Sequence, residues 1–103
     1  MVEFTDVFEE WWHTLSETEQ GKVDARVRLL MERGPNLGFP FSSAIKTSRF
    51  PEMRELRVQA SGDPLRILYA FDPHRVAILL AAGDKTGDDR WYEINVPIAD
   101  ILF

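Results

Sequence analysis

The chemistry in this chain starts with two arginines on either side of a tight turn. Arg57 lies in an alternating run, residues 54–59, and Arg66 in a second run, residues 65–71, with Gly62-Asp63 between them as a candidate two-residue hairpin turn. In that register Ser61 faces Pro64, Arg57 stands opposite Leu68, and Gln59 stands opposite Arg66. One face then carries Leu56, Val58, Leu65, Ile67, Tyr69 and Phe71, and the other carries Glu55, Arg57, Gln59 and Arg66. A slip of one residue would mix the two sets. Arg57 and Arg66 become diagonal neighbours with Cβ atoms about 7–8 Å apart, a spacing at which two guanidinium groups can grip one phosphate. The same pattern also fits plain solvated arginines on an outer strand face.

Other chemistries find no support. The chain has no cysteine and two histidines, His13 and His74, so disulfides, thiolate catalysis and cysteine zinc sites are excluded, and an independent metal centre lacks ligands. Asp84-Lys85-Thr86-Gly87 matches the short phosphorylation motif of P-type ion pumps, which need membrane spans and a separate nucleotide domain. It is not a P-loop either, because the glycine-rich run before the Lys-Thr pair is missing.

With 103 residues, 45% of them apolar, the chain is expected to form a single domain, 1–103, that buries about 60–65% of its unfolded surface. The longest apolar stretch, residues 76–83, is far shorter than the ~20 residues of a membrane span, and no basic-then-apolar signal opens the chain. A cytoplasmic protein is the expectation. Net charge is −5, unevenly distributed: residues 1–21 hold six acids and no Lys or Arg, residues 22–66 hold nine basic and five acidic residues, and residues 67–103 hold three and six. A local anion site fits this distribution, whereas a broad nucleic-acid footprint does not.

The arginine hairpin needs elements around it. Residues 1–4 read as a short strand. Thr5 or Asp6 caps a helix with Phe8, Trp11, Trp12 and Leu15 on one face, and Ser16 with Glu19 forms a capping box for a second helix striped by Val23, Val27, Leu30 and Met31. Gly34-Pro35 ends it. Residues 34–52 form a long connection rich in Gly, Pro and Ser. After the hairpin, residues 72–75 make a turn, and residues 76–82, apolar on both faces, make a central strand. Asp88 or Asp89 caps a last helix containing Trp91, Tyr92, Ile94 and Val96, which Pro97 kinks or restarts. The order is βααβββα, an α+β domain with a helical hairpin packed on a small, mainly antiparallel sheet.

Ser43-Ala44-Ile45-Lys46, Met53-Arg54-Glu55-Leu56-Arg57, Pro64 through Pro73 and Gly83 through Tyr92 together resemble the RelE/ParE superfamily of bacterial toxins, closest to its HigB-like, phage-related branch. The resemblance spans roughly the whole chain and implies the same element order. It implies a type II toxin-antitoxin system whose toxin cleaves mRNA on the ribosome, with no metal or cofactor. The implied partners are the ribosome, mRNA and a helix-turn-helix antitoxin through which operator DNA is reached.

By that resemblance Arg57, Arg66 and Tyr92 are the catalytic candidates and Lys46 and Lys85 contact the RNA backbone; Arg54 is a further RNA-binding candidate. RNA cleaves itself when a 2′-hydroxyl attacks the adjacent phosphate, so an enzyme must align the attack, stabilise the phosphorane and move two protons. Arg57 and Arg66 suit the developing charge, and Tyr92 suits a proton transfer or a plain aromatic packing role. Glu55 is either a base or an arginine's ion-pair partner. Two features depart from relatives: Asp84-Lys85 stands where many carry paired lysines, and the chain ends at Phe103 where relatives often continue into a charged tail. Two rival expectations remain, a ParE-like binder that inhibits DNA gyrase on the same fold and a decayed toxin that only binds its antitoxin.

Overall fold

The computed structural model describes residues 1–103. Strand β1 (Val2–Phe4) leads into helices α1 (Asp6–Trp12) and α2 (Glu17–Arg33), followed by a 3-10 turn at Gly34–Asn36. Then come β2 (Ser42–Ala44), β3 (Arg54–Ala60), β4 (Asp63–Phe71), β5 (Ala77–Asp84) and α3 (Trp91–Leu102). The sheet order is β1-β5-β4-β3-β2, antiparallel except for the parallel β1–β5 pair. The short strand β2 lies inside the long connection of residues 34–52 and is absent from the expected order βααβββα. Three residues with two serines give too brief a pattern to register, and the neighbouring β3 edge organises them.

Local signals explain the helices. Thr5 accepts the Phe8 backbone N–H and its own hydroxyl donates to Leu80 O at 2.6 Å, so α1 is capped and tied to β5 in one residue. The Ser16/Glu19 capping box forms in both directions. Met31, expected in the α2 stripe, is 54% exposed and lines an open apolar cavity with Val23 and Val27. Helix α3 runs through Pro97 without a break. Its N-cap is Arg90, while Asp88 Oδ1 accepts the Arg90 N–H from the preceding turn.

Both sheet faces are covered. Helices α1 and α2 close one face over Leu56, Val58, Leu65, Ile67, Tyr69 and Leu79, and α3 closes the other over Met53, Leu68, Ala70, Leu80 and Ala81. Gly83 allows α3 to approach β5, since a Cβ there would lie 2.6 Å from Trp91 Nε1. The hairpin turn is made by Ser61 and Gly62, at φ 53° and 87°, not by Gly62-Asp63. Ala60 therefore pairs with Asp63, and Arg57 stands directly opposite Arg66 instead of diagonally. The faces are unchanged, because the register differs by two residues.

Candidate active site

Glu55, Arg57 and Arg66 share the α3 face of the sheet, with Ser43 paired across from Glu55. Two like charges directly opposite on a sheet repel. Glu55 offsets that repulsion: its Oε1 lies 3.4 Å from Arg66 Nε and its Oε2 lies 3.7 Å from Arg57 Nη1. The same carboxylate accepts the Ser43 hydroxyl at 2.7 Å and the Tyr92 hydroxyl at 2.5 Å. One buried acid thus gathers side chains from β2, β3, β4 and α3.

Burial separates the two arginines. Arg57 keeps 32% of its side chain exposed, while Arg66 keeps 6%. Arg66 donates through Nη1 to Leu65 O at 2.9 Å, and its Nε is buried without a hydrogen-bond acceptor. The expectation of two solvated arginines therefore holds for Arg57 alone. Arg66 is buried because α3 crosses the strand beside it, which no local pattern in β4 reveals.

Tyr92 sits at the start of α3, edge-on to Trp91 and with Lys85 Nζ 5.3 Å from its ring centroid. Burial, then the hydrogen bond to Glu55 and that residue's charge, push its pKa above the ordinary 10.0, with Arg66 acting in the opposite sense. The phenol is consequently a proton holder at neutral pH. Lys85 joins the cluster through this contact. Arg54 does not: it pairs across from Tyr69 on the opposite sheet face, where its Nε donates to Ser42 Oγ at 3.0 Å and that oxygen shares a hydrogen bond with the Tyr69 hydroxyl. Lys46 is exposed, beyond the end of β2, and forms no ion pair. Ser43 was not singled out from sequence, since only the β2–β3 pairing sets it beside Glu55.

Residues 10–103 match the family described as phage-derived protein Gp49-like. The chain belongs to this family and is HigB-like. Its family makes it the toxin of a type II toxin-antitoxin pair, with an antitoxin as partner. The toxin HigB3 of Mycobacterium tuberculosis is 45% identical over 93 residues, covering 89% of this chain and 80% of that protein. HigB2 of the same organism is 41% identical over 95 residues, and there the match covers 90% of this chain but 47% of the relative, so the chain spans about half its length. The fold is that of E. coli RelE: a doubly substituted, free-state form of that toxin superimposes with a TM-score of 0.56 at 15% identity, covering 90% of each chain.

Within this HigB-like chain the two cavities differ in kind. The larger, about 370 Å³, lies on the α1/α2 side and is mainly apolar, lined by Phe4, Phe8, Trp12, Val27 and Met31 among others. The smaller, about 230 Å³, opens beside Arg57 and Arg66. Only the second adjoins the Glu55 cluster. No helix is long and apolar enough to cross a membrane.

Proposed function

We propose that this toxin is an mRNA endoribonuclease acting on ribosome-presented RNA in the cytoplasm, neutralised by a helix-turn-helix antitoxin. The observation that carries this reading is the convergence of Arg57, Arg66 and Tyr92 on the buried Glu55 carboxylate. In the reaction the RNA 2′-oxygen forms a bond to the adjacent phosphorus, the bond to the 5′-oxygen breaks, and the 2′-hydroxyl loses its proton to solvent water as another proton reaches the 5′-oxygen. The nucleophile is internal to the RNA, so no activated water is needed. Arg57, the accessible member of the pair, meets the phosphate, and Arg66, held by Leu65 O and Glu55, supplies fixed positive charge behind it. Tyr92, protonated at neutral pH, gives its proton to the leaving 5′-oxygen, while Glu55 positions both arginines and the phenol. Lys85 holds the backbone beside Tyr92. The outlying Lys46 serves as a peripheral phosphate contact in this scheme, and Arg54, on the opposite sheet face, takes no part in it.

The test is primer extension on cellular mRNA after induction. Discrete new ends inside translated frames, bearing a 5′-hydroxyl and a 2′,3′-cyclic phosphate or 3′-phosphate, are expected, and the purified protein alone is expected to cut poorly. Intact mRNA with double-strand DNA breaks would instead assign the fold to gyrase inhibition and remove the catalytic roles given to Arg57, Arg66 and Tyr92.

A further inference from the structure

The cleft of about 230 Å³ beside the Glu55 cluster is lined by Arg26, Arg57 and Arg66 together with Gln59, Phe41 and Pro40, and by no carboxylate. Three arginines thus line one small cavity in a chain whose net charge is −5. Arg26 comes from the middle of α2, on the other side of the sheet, and reaches the cleft around the β3 edge. It forms no ion pair, and its guanidinium lies 4.5 Å from the Phe41 ring centroid. Arg57 lies 5.3 Å from the ring of Phe39, which is 75% exposed.

The backbone adds a donor. Arg57 N–H points away from β4 and bonds to Phe41 O, so by strand alternation Gln59 N–H points the same way, past the last residue that β2 can pair. The side-chain amide of Gln59, on the exposed part of this strand, supplies another. Donors of both kinds line the cleft, and its permanent charges are all positive, which is the composition of an anion site.

We propose that this cleft is a subsite for a backbone phosphate of single-stranded RNA next to the scissile one, with Arg26 as its distal donor, Arg57 shared between the two phosphates and Phe39 as a platform for the neighbouring base. The subsite rests on the nuclease reading. It accounts for how an acidic toxin retains hold of RNA: the positive charge is concentrated where the chain passes, instead of being spread over the surface. Aromatic stacking adds affinity without sequence preference, since every base offers a π-face.

The probe is a 2′-O-methyl RNA trinucleotide, which cannot be cleaved by internal attack, titrated into isotope-labelled protein and followed by NMR. Arg26 and Arg57 Nε–Hε and the Gln59 amide signals should shift. Arg26→Gln, which keeps a good helix former and breaks no ion pair, should bind about ten-fold more weakly, with a salt slope smaller by about 0.7. Gln59→Glu, which places a carboxylate in the cleft, should weaken binding at least as much. Equal binding by wild type and both variants overturns the proposal, as does unchanged trinucleotide binding by Arg26→Gln accompanied by lost antitoxin affinity, which would assign the cleft to the protein partner. Cellular mRNA cleavage is scored separately. If the wild type binds the trinucleotide through Arg26 yet cuts nothing, the subsite stands and the nuclease reading falls; if Arg26→Gln binds and cuts like wild type, the subsite falls alone.

Discussion

Replacing Arg66 with alanine separates a buried hub from a solvated pair of arginines. On an exposed strand face the change would alter stability by no more than about ±0.5 kcal/mol, which is what the alternating pattern of residues 65–71 suggests. In the fold, however, the side chains of Arg66 and Glu55 are 6% and 7% exposed and 3.4 Å apart. Removing one partner of such a buried pair typically destabilises by about 3–5 kcal/mol, because the remaining charge is left uncompensated. Glu55 keeps the Tyr92 and Ser43 hydroxyls and Arg57, so a loss near 3 kcal/mol, at the lower end of that range, is expected. For a domain of this size that corresponds to roughly 12–24 °C in Tm, or about 1–3 M in the urea midpoint. Urea unfolding followed by tryptophan fluorescence reads it directly. Adding Glu55→Gln to Arg66→Ala should recover part of the loss, with a coupling energy of about 0.5–3 kcal/mol, since a neutral amide needs no counter-charge. A loss within ±0.5 kcal/mol for Arg66→Ala and no coupling would refute the hub, and Arg66 would revert to an ordinary surface arginine. Loss of toxicity in Arg66→Ala is then informative only at a temperature where the variant is folded.

Tyr92→Phe should lower the cleavage rate about 10²–10⁴-fold, the usual contribution of a positioned proton donor, with near-native unfolding; full activity in the folded variant would remove Tyr92 from the reaction. Because the folded pKa of Tyr92 is raised, the fold gains stability that is fully present below the unfolded value of 10.0 and lost as pH rises through the folded value. Wild type should therefore lose stability more steeply than Tyr92→Phe above about pH 10, and parallel curves in an alkaline titration of the unfolding free energy would contradict the raised pKa. Gly83→Ala should cost about 1–3 kcal/mol by overpacking against Trp91 and reduce cleavage through displacement of α3, visible as altered tryptophan fluorescence; a variant that superimposes on wild type in both would show that the contact yields freely. The antitoxin should protect residues 34–50 and the sheet face beside them from hydrogen exchange, given the exposed Phe39 and the half-buried Phe41 and Phe50; no protection there on adding the cognate antitoxin would place its interface elsewhere.

The sequence by itself determined the local parts. The Ser16/Glu19 box and the Asp72 turn are written in residues a few positions apart, and each forms as expected, while the α2 stripe forms except at Met31. The two faces of the hairpin were legible for the same reason: side-chain alternation has period two, so Leu56, Val58 and Ile67 mark one face in any register that preserves parity. That same period hides an error of two residues. Gly62-Asp63 is the better turn on residue preference, yet Ser61 and Gly62 adopt the positive φ values, and so Arg57 faces Arg66 squarely. The burial of Arg66, the pairing of Ser43 with Glu55 and the hydrogen bond from Tyr92 across 37 positions were decided only by tertiary structure. They depend on α3 crossing the second face of the sheet, through Trp91 settling on Gly83, and on a three-residue strand aligned by its neighbour. Long-range contacts of this kind leave no periodic trace in the chain, because the residues that make them are related by packing and not by spacing.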